Sequence, residues 1–222
     1  MTKLRHLLLP DSRLLLTSGL FGPILGYMSI GRPLEFDPNT VLESAMHVFW
    51  RQGYEASSLQ DLISAMGLSK SSFYQAFESK QTLFKRCIMF YRQGLVDELQ
   101  GKLSKTDSGK AFIQTLFRDV AKETTGADSR RGCLLMNTAS EFAQTDPEIA
   151  ELVSRSINNL TQVFEKAIEQ GQQQGDIPAD KNRHELANYL VSSMSGLKNM
   201  VKAGANSKSI KQTADIVLSA LD

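Results

Sequence analysis

The chain has 222 residues, 41% of them hydrophobic and 22% charged, with a formal net charge of +1. That balance excludes a disordered chain and a large uniform positive field, so any affinity for nucleic acid has to be local. Two cysteines, Cys87 and Cys133, the lack of zinc-spaced Cys/His clusters and the lack of an apolar run near the roughly 20 residues of a membrane helix exclude a disulfide framework, a zinc module and a membrane span.

Residues 1–27 read as an appendage. Lys3 and Arg5 precede Leu7-Leu8-Leu9 in the manner of a secretory signal, but Pro10, Asp11 and Arg13 interrupt its apolar run. Asp37-Pro38 opens the first helix as an N-cap followed by proline at the first helical position. Val41, Leu42, Ala45, Val48 and Phe49 share one face of it, and Gly53 ends it. Ser58 and Asp61 form a capping box for the next helix, on which Leu59, Leu62, Ile63 and Met66 recur at i, i+3, i+4 and i+7. Gly67 stops that helix where a left-handed residue is needed, Leu68 plugs the angle, and Ser69 caps a second short helix over residues 70–77. On it Phe73 and Phe77 bury together and turn Ser71, Ser72, Tyr74 and Gln75 outward, with Lys70 in the first turn. This is a helix-turn-helix. Its outward face of small polar residues, one long cation and a phenol has no core to join. Such a face suits close approach to a duplex, donating to phosphates and reaching base edges in the major groove. Residues 28–86 carry six Lys/Arg against six Asp/Glu, so binding rests on individual contacts and on doubling of the site.

Ser79 caps a long helix whose stripe runs Leu83, Phe84, Cys87, Ile88, Tyr91, Leu95, Leu99 and Leu103. Residues 110–124 repeat the pattern with Phe112, Ile113, Leu116, Phe117 and Val120. A further helix is expected from Gly132 to Ala143, and Asp146-Pro147 starts another with Ile149, Leu152, Val153, Ile157, Leu160, Val163, Phe164, Ala167 and Ile168. Gly175-Asp176-Ile177-Pro178 is a turn, and two last helices span 181–203 and 207–221. No segment alternates with period two, so the fold is expected to be all-α with about nine helices.

Tyr74, Phe77 and Lys80, preceded by Gly67-Leu68-Ser69 and followed by Leu83-Phe84, resemble the DNA-binding signature of TetR-family transcriptional regulators, over roughly Asp37 to Phe84. The resemblance implies that Ser58, Tyr74 and Lys80 hold phosphates while Lys70, Ser71, Ser72, Gln75 and Ala76 face bases. Ser71 stands where a Gly or Pro is frequent and Ala76 where a His or aromatic is frequent, which bears on the operator sequence. Met28 to Pro33 resembles the start of such a chain, with Arg32 as an arm toward DNA and residues 1–27 ahead of it from a start assigned too early. A division follows: a helix-turn-helix domain at 28–84 and an effector-binding and dimerisation domain at 85–222. The resemblance further implies a cytoplasmic repressor, homodimeric through its last two helices near Ser192, Ser193, Ser195 and Gly196. Its partners would be double-stranded palindromic operator DNA and a small-molecule effector, with no cofactor.

Arg130-Arg131-Gly132-Cys133 places a thiol near a helix start beside two cations, and both influences favour thiolate. Gly-Cys-Leu here resembles the N-ethylmaleimide-responsive branch of the family, which implies an electrophile or oxidant sensor. The plainer reading is a small buried hydrophobe, and Cys87 is read as structural. Tyr91, Phe112, Met136 and Phe164 either line an effector cavity or fill the core. No Gly-rich phosphate loop, nucleophile elbow or His-Glu-x-x-His is present; His47 lies within the first helix near Phe49, and His184 opens a late helix without an obvious Ser, Cys or carboxylate partner at fixed spacing. The chain is therefore not read as an enzyme. A helical enzyme or a protein-interaction bundle with an apolar cavity is the alternative.

Overall fold

The structure, a computed structural model, describes residues 37–125 and 131–222. Among these residues there are nine α-helices and no strand. They are α1 (Pro38–Gln52), α2 (Leu59–Met66), α3 (Lys70–Phe77), α4 (Lys80–Leu103), α5 (Gly109–Lys122), α6 (Leu134–Phe142), α7 (Pro147–Gln174), α8 (Arg183–Lys202) and α9 (Ser207–Leu218), followed by a short 3-10 turn, Ser219–Leu221. None is long and apolar enough to cross a membrane. Residues 1–27, Arg32 and Arg130 lie outside the described residues.

The described residues form two compact units. One holds 37–94 and Asn137–Val153, and the other holds 95–125, 131–136 and Ser154–Asp222.

The first unit follows the sequence pattern closely. Asp37 caps α1 by accepting from the Asn39 amide, and Ser58 and Asp61 satisfy each other's backbone N–H groups. Gly67 takes the left-handed conformation at φ +65°, and Ser69 accepts from the Ser72 amide. Val41, Leu42, Ala45, Phe49, Leu62, Ile63, Met66, Phe73 and Phe77 make a core with Leu83, Phe84 and Ile88 of α4. Phe142 joins it from a distant stretch of chain, with ring centroids 5.1 Å from Tyr54 and 5.4 Å from Phe84. Gln81 donates to Asp146, and Lys85 pairs with Glu148, so the polar edges of this stretch are tied to α4 as well. The Asp146 carboxyl is held below the usual carboxylate range, chiefly because it accepts the Ile149 amide at the start of α7.

In the second unit α5 packs on α8 and α9, burying Phe112, Ile113, Leu116, Phe117 and Val120. A part-buried ion pair, Lys198 to Glu123 at 2.8 Å, joins α8 to the end of α5. The start of α5 lies directly on the backbone of α7. A Cβ added at Gly109 would stand 1.9 Å from the Ala167 carbonyl oxygen.

Two expectations need correction. The helix expected from Gly132 begins at Leu134, because Gly132 is left-handed at φ +67° and delays the helical backbone. Cys133 therefore precedes the first turn instead of sitting in it. The α7 stripe is narrower than expected. Ile149, Val153, Val163, Phe164, Ala167 and Ile168 are buried, whereas Leu152, Ile157 and Leu160 are only partly covered.

Candidate nucleic-acid interface

The exposed face of the helix-turn-helix is built by its own buried face. Phe73, Ala76 and Phe77 recur at i, i+3 and i+4 and point into the core, with Phe73 and Phe77 rings 5.9 Å apart. That leaves Lys70, Ser71, Tyr74 and Gln75 exposed on α3, with Tyr74 presenting 47% of its surface, and Ser72 half-covered. Ala76 is the exception among the expected base-facing residues. It is buried as the middle member of the inward stripe, and its carbonyl accepts from Arg86, so its methyl group does not project from the outward face.

At the start of α3 the Ser69 hydroxyl lies 2.9 Å from that of Ser71 and 2.8 Å from that of Ser72, which gathers three hydroxyls at a helix N-terminus. Ser58 is exposed at the start of α2, where its hydroxyl donates to Asp61 and accepts the Asp61 amide. The Ser58 hydroxyl and then the Ser58 amide, both donating to the Asp61 carboxylate, hold that carboxyl below the usual carboxylate range. A depressed carboxylate stabilises the fold above its unfolded pKa, and the contribution is lost as pH falls through the folded value. The first-turn amides of a helix have no partner within it, the arrangement that receives phosphate oxygens, and in α2 and α3 the caps Ser58 and Ser69 take one each.

The α3–α4 connection is a tight turn. Glu78 holds φ +62° and the Ser79 amide reaches back to the Phe77 carbonyl at 2.6 Å. That is a strained γ-turn for a residue with a side chain. It fixes where Lys80 emerges. The Lys80 ammonium lies 4.3 Å above the centre of the Tyr54 ring and donates to the Glu55 carbonyl at 3.4 Å. One residue in this neighbourhood was invisible in the sequence pattern. Glu141, in the last turn of α6, accepts the Tyr54 amide at 3.1 Å and the Glu55 amide at 3.0 Å.

Residues 41–87 match the profile of bacterial regulatory proteins of the tetR family, and residues 109–217 match the tetracyclin repressor-like C-terminal domain. Over 194 residues the chain is 30% identical to an uncharacterized HTH-type transcriptional regulator of Bacillus subtilis strain 168, YezE, covering 87% of this chain and 100% of that protein. The chain belongs to the TetR family. It is a DNA-binding transcriptional repressor of the helix-turn-helix type. The HTH-type transcriptional repressor ComR of Escherichia coli strain K12 is 27% identical over 86% of this chain and 91% of ComR. Among solved structures, the TetR-family regulator CifR, a cysteine mutant complexed with 26bp double-strand operator DNA, superposes with a TM-score of 0.73. It is 28% identical and covers 86% of this chain and 100% of that one. Escherichia coli NemR in its reduced form superposes at a TM-score of 0.75 with 14% identity over 82% of this chain and 95% of that one, a likeness of fold alone.

The residues expected to serve a TetR effector do not form one cluster within either unit. Tyr91 belongs to the first, buried with its ring 5.0 Å from Trp50. Phe112, Cys133, Met136 and Phe164 belong to the second, where Phe112 and Phe164 are core residues and Met136 is half-covered. The two thiols differ in setting. Cys87 is fully buried, its thiol donates to the Leu42 carbonyl at 3.7 Å, and burial pushes its pKa far above the usual thiol range. Cys133 is 9% exposed at the entrance to α6. Brief treatment of the native protein with a maleimide is therefore expected to modify Cys133 first and Cys87 only after unfolding, as read by peptide mass spectrometry. Equal rates at the two cysteines would contradict this placement. Among the described residues no His/Cys/Asp/Glu group has the makings of a metal site. His184 is exposed beside Glu165, on an open polar groove between α7 and α8.

Proposed function

We propose that this repressor reads a palindromic operator as a homodimer, with α3 of each protomer in a major groove and the first turns of α2 and α3 against the backbone. One observation carries the reading. A helix with its apolar stripe fully used inside presents Lys70, Ser71, Tyr74 and Gln75 outside, in a frame fixed by three capped helix starts. Lys80, Tyr74 and Ser58 take phosphates, while Lys70, Ser71, Ser72 and Gln75 meet base edges. In chain terms, 28–84 carries the DNA contacts and 85–222 carries dimerisation and response to a small-molecule effector, with 1–27 an appendage. The effector acts by binding the DNA-competent and DNA-released states with different free energies. A cytoplasmic setting and the absence of catalysis follow from this role.

The dimer face lies on the last two helices. On α8, Tyr189, Ser192, Gly196 and Met200 recur at helical spacing and are exposed, with Tyr189 at 44% and Met200 at 41%. Ile216 of α9 is 71% exposed, an aliphatic side chain with no partner surface on its own protomer. Gly196 has no atom within 4 Å of an added Cβ, leaving room for a second helix. Ile216→Asp is expected to yield monomers by light scattering while retaining the helical spectrum of the parent. A dimer of unchanged stability would place the interface elsewhere.

The direct test of DNA reading is retardation of the DNA upstream of the protein's own reading frame, at stated salt. Specific retardation supports the proposal. Its absence on that DNA and on every other genomic fragment would favour an interaction bundle or a helical enzyme.

A further inference from the structure

We infer that Glu141 is a positioning residue for DNA binding: it sets the turn that holds the phosphate-directed ammonium of Lys80. The inference rests on the proposed role of Lys80. It goes further in assigning a function to a residue outside the helix-turn-helix, 86 positions along the chain from the Glu55 amide that it accepts.

The argument starts from the turn between α1 and α2. Gly53 closes α1 at φ +81°, its amide bonded to the Phe49 carbonyl. The next two amides, of Tyr54 and Glu55, have no helix to join. Both point at one carboxylate, Oε2 of Glu141 taking the first and Oε1 the second. Consecutive amides converging on one anion form a small nest, and the charge strengthens both bonds relative to neutral acceptors. The left-handed φ of Gly53 is what calls for glycine here, since an added Cβ would only reach ordinary contact with Oε2, at 3.5 Å. The remaining groups of the turn are used internally: Ser57 donates its hydroxyl to the Gly53 carbonyl at 2.6 Å and its amide to the Tyr54 carbonyl at 3.2 Å.

What the clamped turn presents is a cradle for a cation. The Tyr54 ring and the Glu55 carbonyl are the two partners of the Lys80 ammonium. The ring is wedged by Phe49, Phe84 and Phe142, and its hydroxyl titrates higher than usual through burial and the nearby acidic residues. An ammonium has three donors. One reaches the Glu55 carbonyl, which leaves the others for a phosphate. With the clamp released, the Tyr54–Glu55 backbone is free to rotate, and Lys80 loses the partners that hold it in place. Glu141 makes no DNA contact of its own.

The test is a double-mutant cycle on operator affinity and its salt dependence, in the full-length dimer, well below the melting temperature of every variant. Lys80→Ala is expected to lower the slope of log K against log salt by about 2 per dimer, one phosphate from each head at about 0.9 each. Glu141→Ala is expected to reproduce most of that change, and Glu141→Gln, which keeps one acceptor, to fall between. In the Lys80→Ala background Glu141→Ala is expected to have no further effect on affinity. If Lys80→Ala leaves affinity and slope unchanged, the role of Lys80 itself is wrong. If Lys80→Ala behaves as expected but Glu141→Ala leaves the slope at the parent value, or adds its full effect in the Lys80→Ala background, Glu141 is only a structural brace and the inference fails.

Discussion

Lys80→Ala is expected to weaken operator binding by roughly 100-fold, a contribution of about 1.5 kcal/mol from each of two heads, at the low end for hydrogen bonds to charged groups. The expectation follows from geometry: the ammonium is held by an aromatic face and a single carbonyl, so most of its donor capacity is uncommitted in the free protein. Because a phosphate contact positions without specifying, the loss should be nearly the same on operator and on unrelated DNA. Tyr74→Phe should act in the same direction but by less, since it removes one exposed hydroxyl and leaves the ring in place beside Phe73. Lys70→Ala should behave differently. A cation in the first turn of α3 that makes a bidentate guanine contact contributes about 1–3 kcal/mol of discrimination, so its loss narrows the gap between operator and unrelated DNA. Titrations of the three variants against both DNAs, at two salt concentrations, separate these outcomes. A uniform loss for all three would remove the division between phosphate and base contacts.

Gly109→Ala is expected to be the most damaging single-methyl change in the second unit. Its Cβ would stand 1.9 Å from the Ala167 carbonyl oxygen and 2.8 Å from the Gly171 amide nitrogen, both backbone atoms that cannot swing aside. The start of α5 is also tied down by bonds that resist separation. The Gly109 amide donates to Gln174, Gln174 donates to the Asp107 carbonyl, and Ser108 donates to Asp176 at 2.6 Å. Overpacking of this kind costs about 3 kcal/mol or more, which lowers the melting temperature by roughly 6–12 °C for a chain of this size. Gly101→Ala is the matched control. It adds the same methyl inside α4 where nothing lies within 4 Å, and it should stabilise by about 0.5–1 kcal/mol through helix propensity. Equal melting temperatures for the two variants would mean that α5 and α7 do not approach as closely as described.

Local chemistry made much of the first unit legible in the sequence. A cap and its amide, a capping box and a left-handed glycine involve residues within a few positions of each other, so Asp37, Ser58, Asp61, Gly67 and Ser69 announce α1 to α3 directly. The outward face of α3 followed from its two phenylalanines. Ala76 was misassigned because a family position was carried over without its geometry, although its spacing from Phe73 already places it in the inward stripe. Periodicity alone overstated the buried face of α7, since Leu152, Ile157 and Leu160 keep helical spacing at positions that the core only partly covers. α6 begins two residues after the expected Gly132 because a glycine reads equally as a first-turn residue and as the left-handed residue that precedes one. The Glu141 clamp and the contact of Gly109 with Ala167 were not legible at all. Each joins backbone to residues tens of positions away, and no local pattern records such a pairing.

Hydroxyl-radical footprinting of the dimer on its upstream DNA bears most directly on the reading of α3. Two protected segments are expected on one face of the duplex, related by a twofold axis and centred about one helical turn, roughly 34–36 Å, or a multiple of it apart. Protection at both should fade together in Lys80→Ala. A single asymmetric segment, or protection that survives unchanged in Lys80→Ala and Lys70→Ala, would contradict a paired helix-turn-helix as the surface that meets DNA.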